Sequence, residues 1–585
     1  MAWGGTLRKF HIQLNTQLET KTNPSDVQLK ISDKVLDFKI LNTLNRKNRK
    51  TLYIQVTTKI PIGYHDLLLF IKGQKTATSF IISAPEKLEV KTARAWGPFL
   101  PTYALRSNSN WGIGSYTDLM RAALICKKYG ASFISILPSL AGRFEASDCD
   151  PSPYSALTRF FWNEIYLDVD SLLQKYPVKE ALQMRESADF IKKLSVLRDS
   201  EYVDYYKCYQ LKKQFLLLLA GDFFKKTLPD SYHLFLEKNP QALRYAEFRS
   251  KNNQEPNGNT EREINYHLFV QYETDLALMN ISRNSGIDLY MDYPVGVNDS
   301  GFDYKDDDTN FLGSVSVGAP PEPVFQLGQD WGFPSFHPQK LPLKKYSYFI
   351  DSIRQHLKYS KILRLDHVIG LYRIYSVPKG YGGKNGAYIR FSEEDFFAII
   401  VLEASNAGAD IIGENLGTVP AKVNEILKKR NLKGMQILQL DLGERPENLI
   451  SKIDQNTLCA LNTHDMPMFE SFMKAEDLDE VLSLGILHSD FYAQFKQERF
   501  EQLQKWENIF LKNPVIGALK YLASSKCHYL VVNLEDLWNE ERPQNIPGTW
   551  KEVPNWRRKM AIPIEEWENH ENCKLAFNSL KTTFS

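Results

Sequence analysis

The stretch KILRLDH at residues 361–367 carries the pattern that decides the fold, a short apolar run that ends in polar side chains. Four further stretches repeat this pattern: ASFISILPS at 131–139, GIDLYMDYP at 286–294, GADIIGENLG at 408–417 and TLCALNTHD at 457–465. Segments with helical apolar spacing lie between them, and this alternation predicts parallel strands joined by crossovers. We therefore predict an α/β fold, a (β/α)8 TIM barrel, with a doubly wound open sheet as the alternative.

Four of these five stretches have an acidic residue near the C-terminal end of the predicted strand: Asp292, Asp366, Glu414 and Asp465. A (β/α)8 barrel builds its active site from these strand ends. Several carboxylates in one mouth raise repulsion and desolvation costs, which proteins tolerate mainly where the charge is used. The pattern therefore predicts an acid-rich active site. No Gly-x-Gly-x-x-Gly or Walker-type loop points to a nucleotide.

Arg364 and Asp366 lie two residues apart on one predicted strand, so both side chains should point into the mouth. The guanidinium is expected to lower the pKa of Asp366 and keep it ionised, as a nucleophile requires. A purely structural Arg–Asp pair explains this spacing equally well. Glu414 follows an apolar run, where poor solvation raises a carboxyl pKa and suits a general acid. An ionised Asp beside a protonated Glu is the arrangement of retaining glycosidases, with carboxyls about 5–5.5 Å apart.

Asp465 and two histidines beside the acids complete the set of candidate residues. Asp465 is a third carboxylate, suited to stabilising an oxocarbenium-like transition state or holding sugar hydroxyls. His367 and His464 are candidate hydrogen-bond donors to those hydroxyls. A two-metal hydrolase is the alternative use of Asp, Glu and His at strand ends, but the chain has no His-x-His or tight ligand cluster. We therefore predict neither a metal nor another cofactor.

The first 85 residues differ in pattern from the rest of the chain. LDFKI at 36–40 and LYIQV at 52–56 alternate apolar and polar side chains, which predicts half-buried strands and a small N-terminal β-sandwich domain over 1–85. Residues 86–585 are assigned to the catalytic barrel. We expect a helical insertion at about 160–265 and a loop insertion at about 300–345, rich in Gly, Pro and aromatic residues, that acts as a lid or substrate wall.

Charge and composition narrow the class of protein. The 585 residues include 72 basic and 70 acidic ones, so the net charge of +2 argues against a nucleic-acid partner. The start of the chain lacks an apolar run of signal-peptide length, and its longest apolar block is too short to span a bilayer. The six cysteines are widely spaced and fit reduced thiols. We predict a soluble cytoplasmic protein without membrane contact.

A set of motifs in fixed order resembles glycoside hydrolase family 77, the amylomaltases or 4-α-glucanotransferases. The motifs are SPY at 152–154, GAPP at 318–321, GQDWGFP at 328–334, RLDH at 364–367, GENLG at 413–417, NTHDMP at 462–467, NIPGT at 545–549 and PNWRRK at 554–559. The resemblance implies a TIM barrel that acts on α-1,4-glucans, with Asp366 as nucleophile, Glu414 as acid/base and Asp465 as transition-state stabiliser. It also implies glucose contacts for Tyr154, Asp292, Trp331, Arg364, His367 and His464.

The expected activity is transfer of α-1,4-glucan segments between maltooligosaccharides through a covalent glucosyl-aspartate, with retention of configuration. An α-glucan hydrolase with water as acceptor and a non-catalytic glucan-binding protein are the alternatives. The chain departs from the family pattern at HVIG (367–370), GAPPE (318–322), GENLG (413–417) and MDYP (291–294). These departures leave the acids in place and leave donor-length preference and loop contacts open. The oligomeric state is a separate open question.

Overall fold

A closed barrel of eight parallel strands is the centre of the fold in this computed structural model, which describes residues 1–15, 26–46, 49–90, 92–252, 260–322 and 325–584. Barrel strands 1 to 8 are, in chain order, Ala95–Phe99, Phe133–Ser135, Asp288–Tyr293, Ile362–Leu365, Asp410–Gly413, Gly434–Ile437, Thr457–Ala460 and Tyr529–Asn533. Each pairs with its neighbour in sequence, and strand 8 pairs with strand 1. A parallel bridge between Ile412 and Lys433 joins strands 5 and 6. This closure confirms the (β/α)8 prediction and excludes an open doubly wound sheet.

Apolar side chains from alternate strand positions fill the barrel interior. Phe133, Tyr290 and Ile362 lie in one buried cluster with residues from strands 5 to 8. Because successive strand residues point to opposite faces, the residues two positions later share the inward direction. Asp292 and Arg364 are those residues on strands 3 and 4, and the strand register pairs them directly. The inward face therefore changes from apolar to charged at the C-terminal mouth.

Helices surround the barrel and form a large insertion. The surrounding helices are Tyr116–Lys128, Thr260–Asn284, Ser347–Leu357, Glu393–Ala407, Ala421–Lys429, Leu438–Asp441, Pro446–Lys452, Pro514–Ser524 and Glu571–Phe584. The insertion between strands 2 and 3 holds Val169–Lys175, Lys179–Glu186, Ala188–Asp199, Tyr205–Phe223, Asp230–Lys238 and Ala242–Asn252. Strand 7 is followed by Phe469–Lys474, Glu476–Ser483, Ser489–Lys505 and Glu507–Phe510. Within the described residues, no helix is both long and apolar enough to cross a membrane.

The segment 300–345, predicted to be a loop, instead contains a β-hairpin between two short helices, Phe302–Asp306 and Lys340–Leu343. Its strands, Phe311–Ala319 and Gln329–Phe336, join Arg373–Pro378 and Ala387–Arg390 in a four-stranded antiparallel sheet. The strand that contains Pro334 lies at the edge of that sheet. Proline has no backbone N–H to donate. It is tolerated on an edge strand, where the N–H at that position would face outward rather than towards a neighbouring strand. This placement explains why a Pro- and Gly-rich sequence still forms strands here.

Two β-sheets build the N-terminal region. One contains the strands Ala2–Trp3, Thr6–Leu7, Val27–Ile31, Lys34–Leu36, Gly63–Ile71 and Gln74–Ala84, and the other contains Phe10–Asn15, Phe38–Arg46 and Arg49–Val56. Apolar residues from both sheets, including Leu29, Ile54 and Ile81, share one buried cluster. The two sheets therefore pack face to face as a small β-sandwich.

Two polar anchors hold the sandwich against the barrel helix Glu393–Ala407. Tyr64 donates from Oη to Glu403 Oε1 at 2.6 Å, while Arg354 donates to both oxygens of the same carboxylate at 2.8 and 2.9 Å. Trp3 donates from Nε1 to Glu394 Oε2 at 2.6 Å, and the guanidinium of Arg430 covers its ring. The sandwich is thereby attached to the helix that leads into barrel strand 5.

Candidate active site

The ends of strands 3, 4, 5 and 7 bring the predicted acids together at the barrel mouth. The backbone ladder continues beyond the strands and sets the position of two of these acids. Asp366 donates from its amide to Tyr293 O at 3.0 Å, and Glu414 donates likewise to Leu365 O at 3.1 Å. Asp366 and Glu414 therefore occupy neighbouring positions at the ends of adjacent strands.

One guanidinium, that of Arg364, lies among three carboxylates. Nη1 contacts both oxygens of Asp292, at 2.7 and 2.6 Å, and Asp366 Oδ1 at 3.0 Å. Nη2 lies 3.9 Å from Glu414 Oε2. The Arg364 side chain is only 9% exposed, so these charges interact with little screening by water. The site carries more negative than positive charge at its centre.

The sequence-based expectation for the Asp366 pKa is wrong in direction. Burial raises the pKa of Asp366 to about 7, with Asp292 and Glu414 adding repulsion and Arg364 offsetting only part of it. The spacing of Arg364 and Asp366 correctly predicts that the two side chains are in contact. It reveals only the charged partner of Asp366 that lies on the same strand. The competing Asp292 carboxylate comes from strand 3 and shares the same Nη1 atom.

Backbone amides hold the Glu414 carboxylate. His367 donates from its amide to Oε2 at 2.6 Å, and Leu416 donates to Oε1 at 3.3 Å. His367 has a left-handed backbone, φ 48°, which is uncommon for a residue other than glycine. Burial lowers the pKa of the His367 ring, so the ring is neutral at neutral pH. Trp331, on the edge strand of the hairpin, meets that ring edge-on at 5.3 Å between centroids.

Tyr154 and His464 connect the acids on the opposite side of the mouth. Tyr154 donates from Oη to Asp292 Oδ2 at 2.6 Å, and its oxygen lies 2.8 Å from His464 Nε2. The same Nε2 lies 3.2 Å from Asp465 Oδ2. Although burial by itself lowers the pKa of His464, the charge and hydrogen bond of Asp465 raise it overall. The pKa of Asp465 is lowered in turn, since the charge and hydrogen bond of His464 and the hydrogen bond of Asn545 outweigh the desolvation of its carboxyl.

Two site residues were missed by sequence reasoning, although the motifs that contain them were noted. Asn545, in NIPGT, donates from Nδ2 to Asp465 Oδ1 at 2.7 Å. Trp556, in PNWRRK, packs its ring 5.9 Å from Tyr154 and 5.8 Å from His464. Both come from a segment that follows strand 8, far along the chain from their partners. Only the two motifs themselves marked these positions.

Five of the predicted side chains line two cavities at the mouth. One cavity is lined by Phe99, Asp292, Arg364 and His464 among others. The other extends from Asp366 and His367 beneath the four-stranded sheet. Among the described residues, no group of three or more His, Cys, Asp or Glu side chains has the geometry to hold a metal ion. The arrangement presents carboxyls for proton transfer and nucleophilic attack, with polar and aromatic groups around them.

Comparison with known proteins identifies the family of the chain. A family model described as 4-alpha-glucanotransferase matches residues 100–261 and 244–564. A 4-alpha-glucanotransferase of Haemophilus influenzae is 29% identical over 587 residues, covering 88% of this chain and 83% of that protein. One from Mycobacterium tuberculosis is 27% identical over 568 residues, covering 86% and 77%.

Solved structures share the fold. The crystal structure of amylomaltase from Corynebacterium glutamicum superposes with a TM-score of 0.82 at 23% identity, covering 99% of this chain and 89% of that one. Amylomaltase from Streptococcus agalactiae in complex with acarbose has a TM-score of 0.69 at 19% identity, covering 84% and 99%.

Proposed function

Since the chain belongs to the 4-alpha-glucanotransferase family, as its motifs predicted, we propose that it transfers α-1,4-glucan segments between maltooligosaccharides by a retaining, two-step mechanism. Membership makes the protein an enzyme of that class; the mechanism and the residue roles are the proposal. The observation that carries them is the contact of one buried guanidinium, Arg364, with both Asp366 and Glu414. Two carboxyl groups held by one guanidinium support a nucleophile and an acid/base that act on the same glycosidic bond.

In the first step, Asp366 attacks the anomeric carbon of the donor glucan. The C1–O4 bond breaks as the bond from C1 to the Asp366 oxygen forms, and Glu414 gives its proton to the departing O4. A β-linked glucosyl-aspartate results, and the shortened glucan leaves. The oxocarbenium-like transition state carries positive charge, which an acid-rich mouth stabilises.

In the second step, Glu414 acts as a base. It takes the proton of the 4-hydroxyl of an acceptor glucan, whose oxygen attacks C1 while the bond to Asp366 breaks. Two inversions restore the α configuration. The amides of His367 and Leu416 hold the Glu414 carboxylate in the position from which it serves both steps.

The surrounding residues receive binding roles. Asp465 stabilises the transition state, and Asn545 fixes its carboxylate at 2.7 Å. Asp292, Arg364, His367 and His464 line the two cavities, and Tyr154 bonds to Asp292. We assign the free hydrogen-bonding capacity of these five residues to glucose hydroxyls. Trp331 offers a ring face to an acceptor sugar.

Transfer exceeds hydrolysis when acceptor sugar occupies the site better than water does. The tip of the hairpin reaches the NIPGT turn across the mouth: a Cβ placed on Gly548 would lie 2.9 Å from Phe325 Cε1. Gly548 also has a φ of 84°, so glycine is required there for conformation as well as for space. We propose that this contact between the hairpin tip and the NIPGT turn covers the acceptor side of the site and limits access of water to it.

Incubation with maltotriose tests the function. Transfer yields a ladder of longer and shorter maltooligosaccharides with little rise in reducing ends, whereas a rise that matches bond loss would identify a hydrolase. The intermediate is tested with the Glu414→Gln variant and α-glucosyl fluoride, whose fluoride leaves without acid assistance. Because the second step lacks its base, we expect one glucosyl unit to remain on the peptide that contains Asp366. Recovery of that peptide unmodified, with fluoride released, would contradict the covalent step.

A further inference from the structure

Trp556 has a backbone conformation that disfavours a bulky side chain. Its φ is 60°, in the left-handed region, and the residue is only 5% exposed. Glycine enters this region at little cost, whereas an L-residue with a large side chain is strained there. Such strain persists where the surrounding structure over-determines it, and it is concentrated at functional sites. Contacts with the surrounding structure therefore hold Trp556 in a left-handed backbone conformation that the residue by itself disfavours.

Hydrogen bonds fix the backbone of Trp556 on both sides. Its amide donates to Gln544 O at 2.7 Å, and its carbonyl accepts from Tyr205 Oη at 2.7 Å. Tyr205 begins a helix of the insertion between strands 2 and 3. The next residue, Arg557, accepts from the amide of Val203 at 2.7 Å. The helical insertion thus clamps the segment that carries Trp556.

The Trp556 ring closes a three-ring cluster beneath the acids. Tyr154 and His464 stack at 5.3 Å between centroids, and Trp556 lies tilted against both, at 5.9 and 5.8 Å. Tyr154 donates a hydrogen bond to Asp292, and His464 contacts Asp465. Movement of either ring would therefore move a hydrogen bond to an acid. Trp556 itself is not among the residues that line the two cavities of the mouth.

We propose that Trp556 is a positioning residue, whose clamped ring fixes the Tyr154–His464 pair and, through it, the orientation of Asp292 and Asp465. This assigns a role to the helical insertion as well, because Tyr205 and the residues before it hold the Trp556 backbone. The turnover test of this inference rests on the proposed function, but the position of the His464 ring is measured without substrate.

The Trp556→Leu variant removes the aromatic surface, and Trp506→Leu is its matched control. Trp506 is also fully buried, but it packs on Phe510 and Tyr521 rather than on the site rings. We expect Trp556→Leu to lower kcat for maltotriose about 100-fold, as misplacement of active-site groups by about 1 Å does, with KM changed less than about threefold. Trp506→Leu should lower the unfolding temperature and leave kcat per folded molecule unchanged. Trp556→Phe, which keeps an aromatic face, should recover most of the lost kcat.

A spectroscopic measurement separates positioning from general destabilisation. In protein with isotope-labelled histidine, the His464 ring resonance is assigned by its loss in His464→Gln. It should shift in Trp556→Leu and stay in place in Trp506→Leu. If the leucine variant does not fold, Trp556→Met, whose flexible side chain fills irregular gaps, takes its place. An unmoved His464 resonance together with a kcat near that of the native protein would overturn the inference. A native protein inactive on maltotriose would instead overturn the proposed function, leaving the resonance test intact.

Discussion

Arg364 uses a single nitrogen, Nη1, to contact both carboxylate oxygens of Asp292, at 2.7 and 2.6 Å. The strand register pairs these two residues directly, so the contact spans neighbouring strands at the barrel mouth. The same nitrogen also lies 3.0 Å from Asp366. Asp366, the proposed nucleophile, therefore shares the positive charge of Arg364 with Asp292. This sharing determines several properties of the site.

Replacing Arg364 by lysine should reduce kcat/KM for maltotriose by about 100-fold or more. Lysine keeps the charge but has a single ammonium group that cannot contact three carboxylates as the planar guanidinium does. Breaking a buried charge pair costs about 3–5 kcal/mol, and 1.36 kcal/mol corresponds to a tenfold rate change. Arg121→Lys is the control, since Arg121 pairs with Glu565 at the surface. Activity of Arg364→Lys within about threefold of the native value would contradict this role.

Asp292→Asn should move the acidic limb of the kcat/KM profile to lower pH. Asp292 raises the pKa of Asp366, and its removal also leaves more of the Arg364 charge for Asp366. Since the ionised carboxylate is the nucleophile, a lower pKa extends activity into more acidic solution even though the maximal rate falls. The control is Asp288→Asn, at the opposite end of the same strand. A limb that stays in place or moves to higher pH would show that Asp292 does not set the Asp366 pKa.

Asp366→Asn should abolish transfer while stabilising the fold at alkaline pH. The folded-state pKa of about 7 exceeds the unfolded value of 3.8, so the ionised carboxyl destabilises the fold. That cost is absent below the unfolded pKa, grows as the pH rises from the unfolded value to the folded one, and is complete above about pH 7. We expect kcat to fall by about 1,000-fold or more, and the variant to melt above the native protein at pH 8 but not at pH 4. A stability difference that is the same at both pH values would contradict the raised pKa.

Asn545→Ala should lower kcat/KM about tenfold to 100-fold. A hydrogen bond to a charged group contributes about 1.5–3 kcal/mol, and Asn545 donates one to the Asp465 carboxylate. Asn545→Asp has the same shape but places a second negative charge beside Asp465, so its activity should fall below that of the alanine variant. Equal activity in the native protein and Asn545→Asp would exclude a role for this contact.

Tyr64→Phe should lower the unfolding temperature by a few degrees without changing kcat. The variant removes the hydroxyl that donates to Glu403 at the boundary between the β-sandwich and the barrel. The lost bond is worth about 1.5–3 kcal/mol. Tyr53→Phe, at an exposed position of the same sandwich, serves as the control. A fall in kcat for Tyr64→Phe alone would mean that the sandwich affects the site.

Much of the architecture was predictable because its signals are local. The five quoted apolar stretches coincide with barrel strands 2, 3, 4, 5 and 7. Strands 1 and 6 were missed, since AWGPF at 95–99 contains glycine and proline and GMQI at 434–437 is short and half-buried. Strand 8, YLVVN at 529–533, has a clear apolar run but is not among the five quoted stretches. The loop prediction for 300–345 is wrong at the hairpin, 311–336. The strand that contains Pro334 lies at a sheet edge, where proline is permitted, and the sequence does not show this position.

The sequence by itself determined the barrel, the acids at its strand ends and the family, because strand period, residue type and motif order are properties of short segments. Only the tertiary structure decided that Asp292 competes for Arg364, that the Asp366 pKa is raised, and that Asn545 and Trp556 support the site. These properties depend on desolvation and on distances of a few ångströms between groups far apart in the chain. Coulomb energy and burial follow spatial separation, which the linear order of residues does not specify.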